Sequence, residues 1–178
     1  MRWPAYFILV YLIISLQMGL SGFINWGSAA PNLVLPVAVF VAINARREEA
    51  LVGALLVGLI QDLFTQHPMG LYGFAYGLVG LFVVGTQPVV YRDHPLTHFF
   101  VTFAAAILTN GAVWFNEWAY PILHHGAEAG RPSVSAALAG ALYTAALAPV
   151  VLGVLARLKR LFAFKGRLAA VGMRRAPM

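Results

Sequence analysis

Cysteine is absent from the chain and charge is scarce: 10% of its 178 residues are Asp, Glu, Lys or Arg, against 61% hydrophobic residues. Without cysteine there is no disulfide framework and no thiolate site for metal or nucleophilic chemistry. The shortage of charge excludes a water-facing globule, because a soluble domain carries about 25% charged residues. Too few polar side chains exist to cover an aqueous surface, so lipid is the solvent for most of the chain. The six acidic residues form no paired-carboxylate arrangement, and there is no G-x-S-x-G nucleophile or P-loop. Catalysis therefore has no candidate residues, and no cofactor site is expected.

What the sequence does have is long apolar runs. A helix needs about 20 apolar residues to cross about 30 Å of hydrocarbon. Six runs are expected to form an all-α, polytopic bundle: about Pro4 to Phe23, Leu33 to Ala45, Ala50 to Phe64, Met69 to Val90, Leu96 to Trp118 and Val134 to Leu155. The second and third are short, spanning about 20–23 Å at helical rise. They could thin the bilayer, recruit flanking residues or form a re-entrant hairpin, and each option returns the chain to the same side. The first run resembles a signal peptide, with Ser28-Ala29-Ala30 as a cleavage-like site. It is too long for a typical h-region and Pro31 would follow the cut, so it is read as an uncleaved helix. No Ser/Gly/Pro-rich linker divides the chain. The expected organisation is one transmembrane domain over residues 1–156 and a basic, partly interfacial tail over 157–178.

The net charge is +6, which raises the question of nucleic acid. Position argues against it. Seven of the twelve basic residues lie in the last 22, among them Arg157, Lys159 and Arg160, directly after an apolar run. Such clusters meet anionic lipid headgroups. With the N-terminus inside, eleven basic residues lie on the cytoplasmic side and Arg131 alone lies outside, so both termini are expected in the cytoplasm. Trp3, Trp26, Trp114 and Trp118 fall near the ends of runs, where indole rings mark headgroup depth.

The histidines give no metal site by spacing. His94 and His98 are four apart, but Pro95 between them leaves their shared face in doubt. The loop from Ala119 to Ser133 holds His124, His125, Glu128 and Arg131, and is too short for a soluble domain. Glu117 and Asp62 could both lie near the outer surface, but nothing in the sequence brings them together.

Asp62 is the most informative residue. A carboxylate in an apolar span costs about 2.5–3.5 kcal/mol at the bilayer centre, and less near an end. It is read either as a buried anchor pairing with a neighbouring helix or partner, or as a carboxylate serving the headgroups or the following turn. Gly58 lies four residues before it, on the same helix face, where a glycine lets another backbone approach. Leu63 follows, and Pro68 and Gly70 permit a tight turn into the next run. Small residues recur at packing intervals: Gly73 and Gly77, Ala54 and Gly58, and the stripe Ala136, Gly140, Thr144 and Ala148. In lipid, such residues let helices approach closely, within the monomer, in a homodimer or against a partner.

The block Gly58 to Gly80, with the chain's size and six-span plan, resembles the bacterial rod-shape-determining protein family MreD. The matching pattern is Gly58-x-x-x-Asp62-Leu63, a turn ending Pro68-x-Gly70, and a helix carrying Gly73, Ala75 and Gly77. The resemblance implies a non-enzymatic inner-membrane scaffold of the cell-elongation machinery. It would bind a bitopic MreC-like protein and other elongation-complex membrane proteins, linking the cytoskeleton to peptidoglycan synthesis. It also implies a bundle like the S components of ECF-type vitamin transporters. That suggests an alternative, a small-molecule carrier lined by Asn25, Asn32, Gln61, Asn110 and Asn116. The loop after Ala119 and the long basic tail depart from a minimal family member, and no role transfers to them.

Overall fold

A computed structural model describes residues 3–24, 30–65, 67–86, 95–123 and 133–158. They form six helices: α1 (Trp3–Ile24), α2 (Val34–Asn44), α3 (Arg47–Asp62), α4 (Leu71–Thr86), α5 (Pro95–Leu123) and α6 (Val134–Arg157). No strand occurs among the described residues. Three helices are long and apolar enough to cross a membrane, within Trp3–Phe23, Leu96–Ala119 and Val134–Arg157. The two shorter apolar helices are α2 and α4, while α3 begins with charge. The expected fourth run reached Val90, but the described helix ends at Thr86. The fifth helix is longer than expected, and its 29 residues extend about 43 Å at helical rise.

α2 is the centre. Every residue from Val34 to Ile43 is buried. A helix apolar on all sides must be enclosed, and α2 contacts each of the other five. Its β-branched residues are middling helix formers, so packing rather than propensity holds it. At 11 residues it is about 16 Å long, and its starting N–H groups need partners inside the protein. Gln17 of α1 accepts from Leu33 at 2.7 Å and Val34 at 3.3 Å. Asn32 Oδ1 accepts from Val34 at 3.0 Å and Leu35 at 3.1 Å. Pro36 sits in the first turn, where a missing N–H costs little.

The helix returns at once. Ala45 and extended Arg46 separate α2 from α3, and Glu48 and Glu49 in the first turn of α3 complement its dipole. Gly53 allows the close approach: a Cβ there would lie 2.8 Å from Val41 Cγ1. The Tyr6 hydroxyl of α1 donates to the Gly53 carbonyl, tying α1 to the same crossing. Trp3, expected as a depth marker, is half-buried and packs edge-on against Tyr6, with ring centroids 5.9 Å apart.

Asn32→Ala removes both acceptor bonds at the start of α2. The expected loss is about 2 kcal/mol, read as an earlier midpoint in SDS unfolding of the purified protein. Gln17→Ala is expected to cost less, because one of its two bonds is long.

Candidate functional site: the α3–α4 clamp

α3 and α4 form the most extensive helix pair, and Asp62 is its fastening. It is the last residue of α3 and 4% exposed. Its Oδ2 accepts from the N–H of Gly70 at 3.0 Å and of Gly73 at 2.9 Å, and its Oδ1 from Tyr72 at 2.9 Å. The Leu71 N–H donates to the Pro68 carbonyl at 3.2 Å. The first turn of α4 therefore has no orphan donor from Gly70 to Gly73. Helix starts leave such N–H groups unpaired, and in an apolar medium each costs several kcal/mol. A carboxylate also complements the positive end of the helix dipole.

The geometry takes one part from each reading of Asp62: the carboxylate is buried, as the anchor reading has it, and it accepts from the following turn, as the other reading has it.

Glycines make the approach possible. A Cβ on Gly58 would overlap the Tyr72 carbonyl and lie 2.8 Å from Gly73 Cα. The expectation that a backbone approaches Gly58 beside Asp62 is what the structure shows. A Cβ on Gly73 would meet Leu59 Cδ2 at 2.7 Å, and one on Gly80 would meet Ala54 Cβ at 3.0 Å. Gly70 has φ +94°, a left-handed conformation that favours glycine. Gly77 differs: nothing lies within 4 Å of the position its Cβ would take. Among the described residues nothing packs against that position. Pro68 and Leu63 are exposed at the turn.

One turn further along α4, Tyr76 is fully buried and donates to Gln61 Oε1 at 2.5 Å. The Tyr76 hydroxyl accepts from Asn32 Nδ2 at 2.8 Å. The Asn32 N–H reaches Thr144 Oγ1 of α6 at 2.9 Å, and Thr144 donates to the Gly140 carbonyl at 2.8 Å. This chain of bonds joins α3, α4, the start of α2 and α6. Sequence spacing does not disclose this chain of bonds, although Asn shortly before an apolar run is a helix-start signal. Tyr72 lies within electrostatic reach of both Asp62 and Glu117, a proximity that spacing alone does not give. Its ring packs edge-on against His67 at 5.7 Å.

Trp114 and Trp118 are 48% and 59% exposed on α5, and Arg157 is exposed at the end of α6. Trp26, Lys159, Arg160, His94, His124, His125, Asn25 and the tail after Leu158 lie outside the described residues. Among those described, no group of three His, Asp or Glu residues could hold a metal ion.

An all-helical arrangement with three helices long and apolar enough to cross a membrane, among the described residues, is the architecture of a membrane protein. The family described as rod shape-determining protein MreD matches residues 1–116, the span that contains the clamp, and the chain belongs to that family. Its role accordingly lies in rod shape determination. Comparisons with curated proteins and with solved structures gave no match.

The glycine geometry orders three substitutions. Gly58→Ala forces the α3 and α4 backbones apart and is expected to cost about 3 kcal/mol or more. Gly73→Ala displaces a flexible Leu59 and should cost about 1–2 kcal/mol. Gly77→Ala meets nothing and should be neutral or slightly stabilising, by at most about 1 kcal/mol. Thermal unfolding of the three variants in detergent checks the order. Asp62→Leu should cost about 2–4 kcal/mol through the abandoned N–H groups, and Asp62→Asn less.

Proposed function

We propose that this protein is a non-enzymatic scaffold of the bacterial inner membrane that grips a bitopic MreC-like partner through the outward face of α4. In this reading all six helices lie in the bilayer in an S-component-like bundle, with both termini cytoplasmic. The short α2 is enclosed by the other helices, and α3 packs on α2 and α4 with Val52, Leu55 and Leu59 exposed. Through the partner, the scaffold connects the cytoskeleton to peptidoglycan synthesis outside. The basic tail rests on anionic headgroups on the cytoplasmic side, as the charge bias favours.

One observation carries the partner surface: α4 has two unlike faces. One is closed on α3 by Gly58, Gly73 and Gly80. The other presents Phe74, Leu78 and Leu81, all exposed, around the open space at Gly77. Residues three and four apart on a helix are neighbours, so Phe74 and Leu81 flank Gly77 and leave a notch between them. A glycine notch between bulky apolar residues suits a second helix better than it suits lipid. The same face could join two copies of this chain.

The carrier alternative has less support. Of its five amides, Asn32 and Asn110 line a common cavity, whereas Gln61 and Asn116 do not.

The structure also dictates which variant tests the scaffold. Asp62→Leu and Gly58→Leu break the clamp itself, so a lost complex there would be ambiguous. Gly77→Leu fills open space and leaves the clamp untouched. The expected result is a stable protein whose co-purification with the single-span partner falls at least about tenfold, a change of about 1.4 kcal/mol. Undiminished capture, with unchanged melting, would count against this face.

A further inference from the structure

A cavity of about 320 Å3 lies between the start of α2, the middle of α5 and the first half of α6. We infer that it is a binding site for a small, uncharged, hydroxyl- or amide-bearing molecule. This goes beyond the scaffold reading and does not depend on it.

The lining selects the ligand class. Asn32, Thr109, Asn110, Ser133 and Thr144 all line the cavity, and none of the described lining residues is charged or titratable. An anion or cation would find no counter-charge among them, and burying an unpaired ion is costly. Most of the wall is apolar, with polar side chains set into it. Ser133 and Thr144 are eleven residues apart on α6, with Asn110 and Thr109 opposite on α5. Polar atoms thus occur along the length of the cavity. The remaining wall is small, with Ala136, Ala137 and Gly140 on α6. A Cβ on Gly140 would lie 3.0 Å from the Ala30 carbonyl oxygen, so glycine lets that wall close in. Exposed Ala30 and Ser133 form the rim.

The polar groups are already held in place. Asn110 Nδ2 donates to the Ala137 carbonyl at 2.9 Å, which fixes the amide between α5 and α6. Thr109 donates to the Ala105 carbonyl at 2.9 Å, and Thr144 is held between Asn32 and Gly140. Each Asn retains a second amide hydrogen, and Thr109 retains lone pairs. Pre-set polar groups in a concave wall of small residues are the features of a ligand site. Asn32 belongs both to this wall and to the Tyr76–Gln61 chain, so the cavity borders the clamp directly.

The absence of cysteine makes a direct test possible. A single cysteine is placed at Ala136, in the wall, or at exposed Met69 as a reference, in purified protein in lipid nanodiscs. The probe is neutral 2-hydroxyethyl methanethiosulfonate, compared with anionic 2-sulfonatoethyl methanethiosulfonate. For Ala136→Cys, labelling by the neutral reagent is expected to saturate with concentration, showing binding before reaction. It should exceed the anionic rate by about tenfold or more, relative to Met69→Cys. Adding Ala137→Phe to fill the cavity should abolish saturation while Met69→Cys labelling and melting stay unchanged. A linear concentration dependence, equal rates for the two reagents, or no labelling at Ala136→Cys would each overturn the site. The first two readouts stand even if Ala137→Phe does not fold.

Discussion

Three backbone N–H groups and one carboxylate hold the two ends of the α3–α4 turn together, and the rest of the Asp62 end depends on that interaction. A helix that starts in an apolar medium has donors with no water to receive them. Here the acceptor comes from the last residue of the preceding helix, eight residues before the first donor, Gly70. The turn is therefore closed by the two helices it joins. Once α4 starts at that point, Gly73 and Gly80 face α3 and Tyr76 meets Gln61. A shift of α4 by one residue would turn Gly73 away from Leu59 and bring a side chain against the Tyr72–Gly58 crossing. Donor satisfaction and backbone contact thus specify the same register.

The second constraint is α2, which is buried on all sides and capped by one residue from α1 and one just before its own start. Gln17 reaches it from α1, while Asn32 supplies an acceptor locally and binds both Tyr76 and Thr144. In water these amides would exchange with solvent and contribute about 1 kcal/mol each. In an apolar surrounding the alternative to each bond is an unpaired donor, so the network specifies an arrangement as well as stabilising it. Threonines contribute little to it beyond Thr144. Thr109 bonds its own helix at the Ala105 carbonyl, which satisfies the hydroxyl without linking elements.

How far the sequence discloses this architecture depends on the distance over which each interaction acts. Long apolar runs identify α1, α5 and α6 because the signal is local and repeated. The Gly58–Asp62 pair is legible for the same reason: four residues put both on one face, and Pro68 and Gly70 announce a turn. The role of Gly77 is not legible. Gly73 and Gly77 have equal spacing credentials, and the direction in which α3 approaches separates them. Asn32 belongs to a different class again, since its partners Tyr76 and Thr144 lie 44 and 112 residues away. Trp3 shows the limit of composition, because an indole near a chain end suits both the headgroup level and the edge of a core. Its contact with Tyr6 places it at the edge of the core.

In the proposed scaffold, the unlike faces of α4 would connect stability to binding. A hairpin fastened by backbone contact on one side has little freedom to adapt on the other, so the notch at Gly77 is presented in one orientation. Preorganisation of that kind lowers the ordering cost that association must overcome. It also separates two roles that small residues often confuse in membrane helices. Gly58, Gly73 and Gly80 are needed to make the fold, and any binding effect of changing them passes through the clamp. No described neighbour requires a glycine at Gly77, and a helix-forming Ala would meet none of them. The presence of Gly77 between Phe74 and Leu81 finds a physical reason once another helix occupies the space beside it.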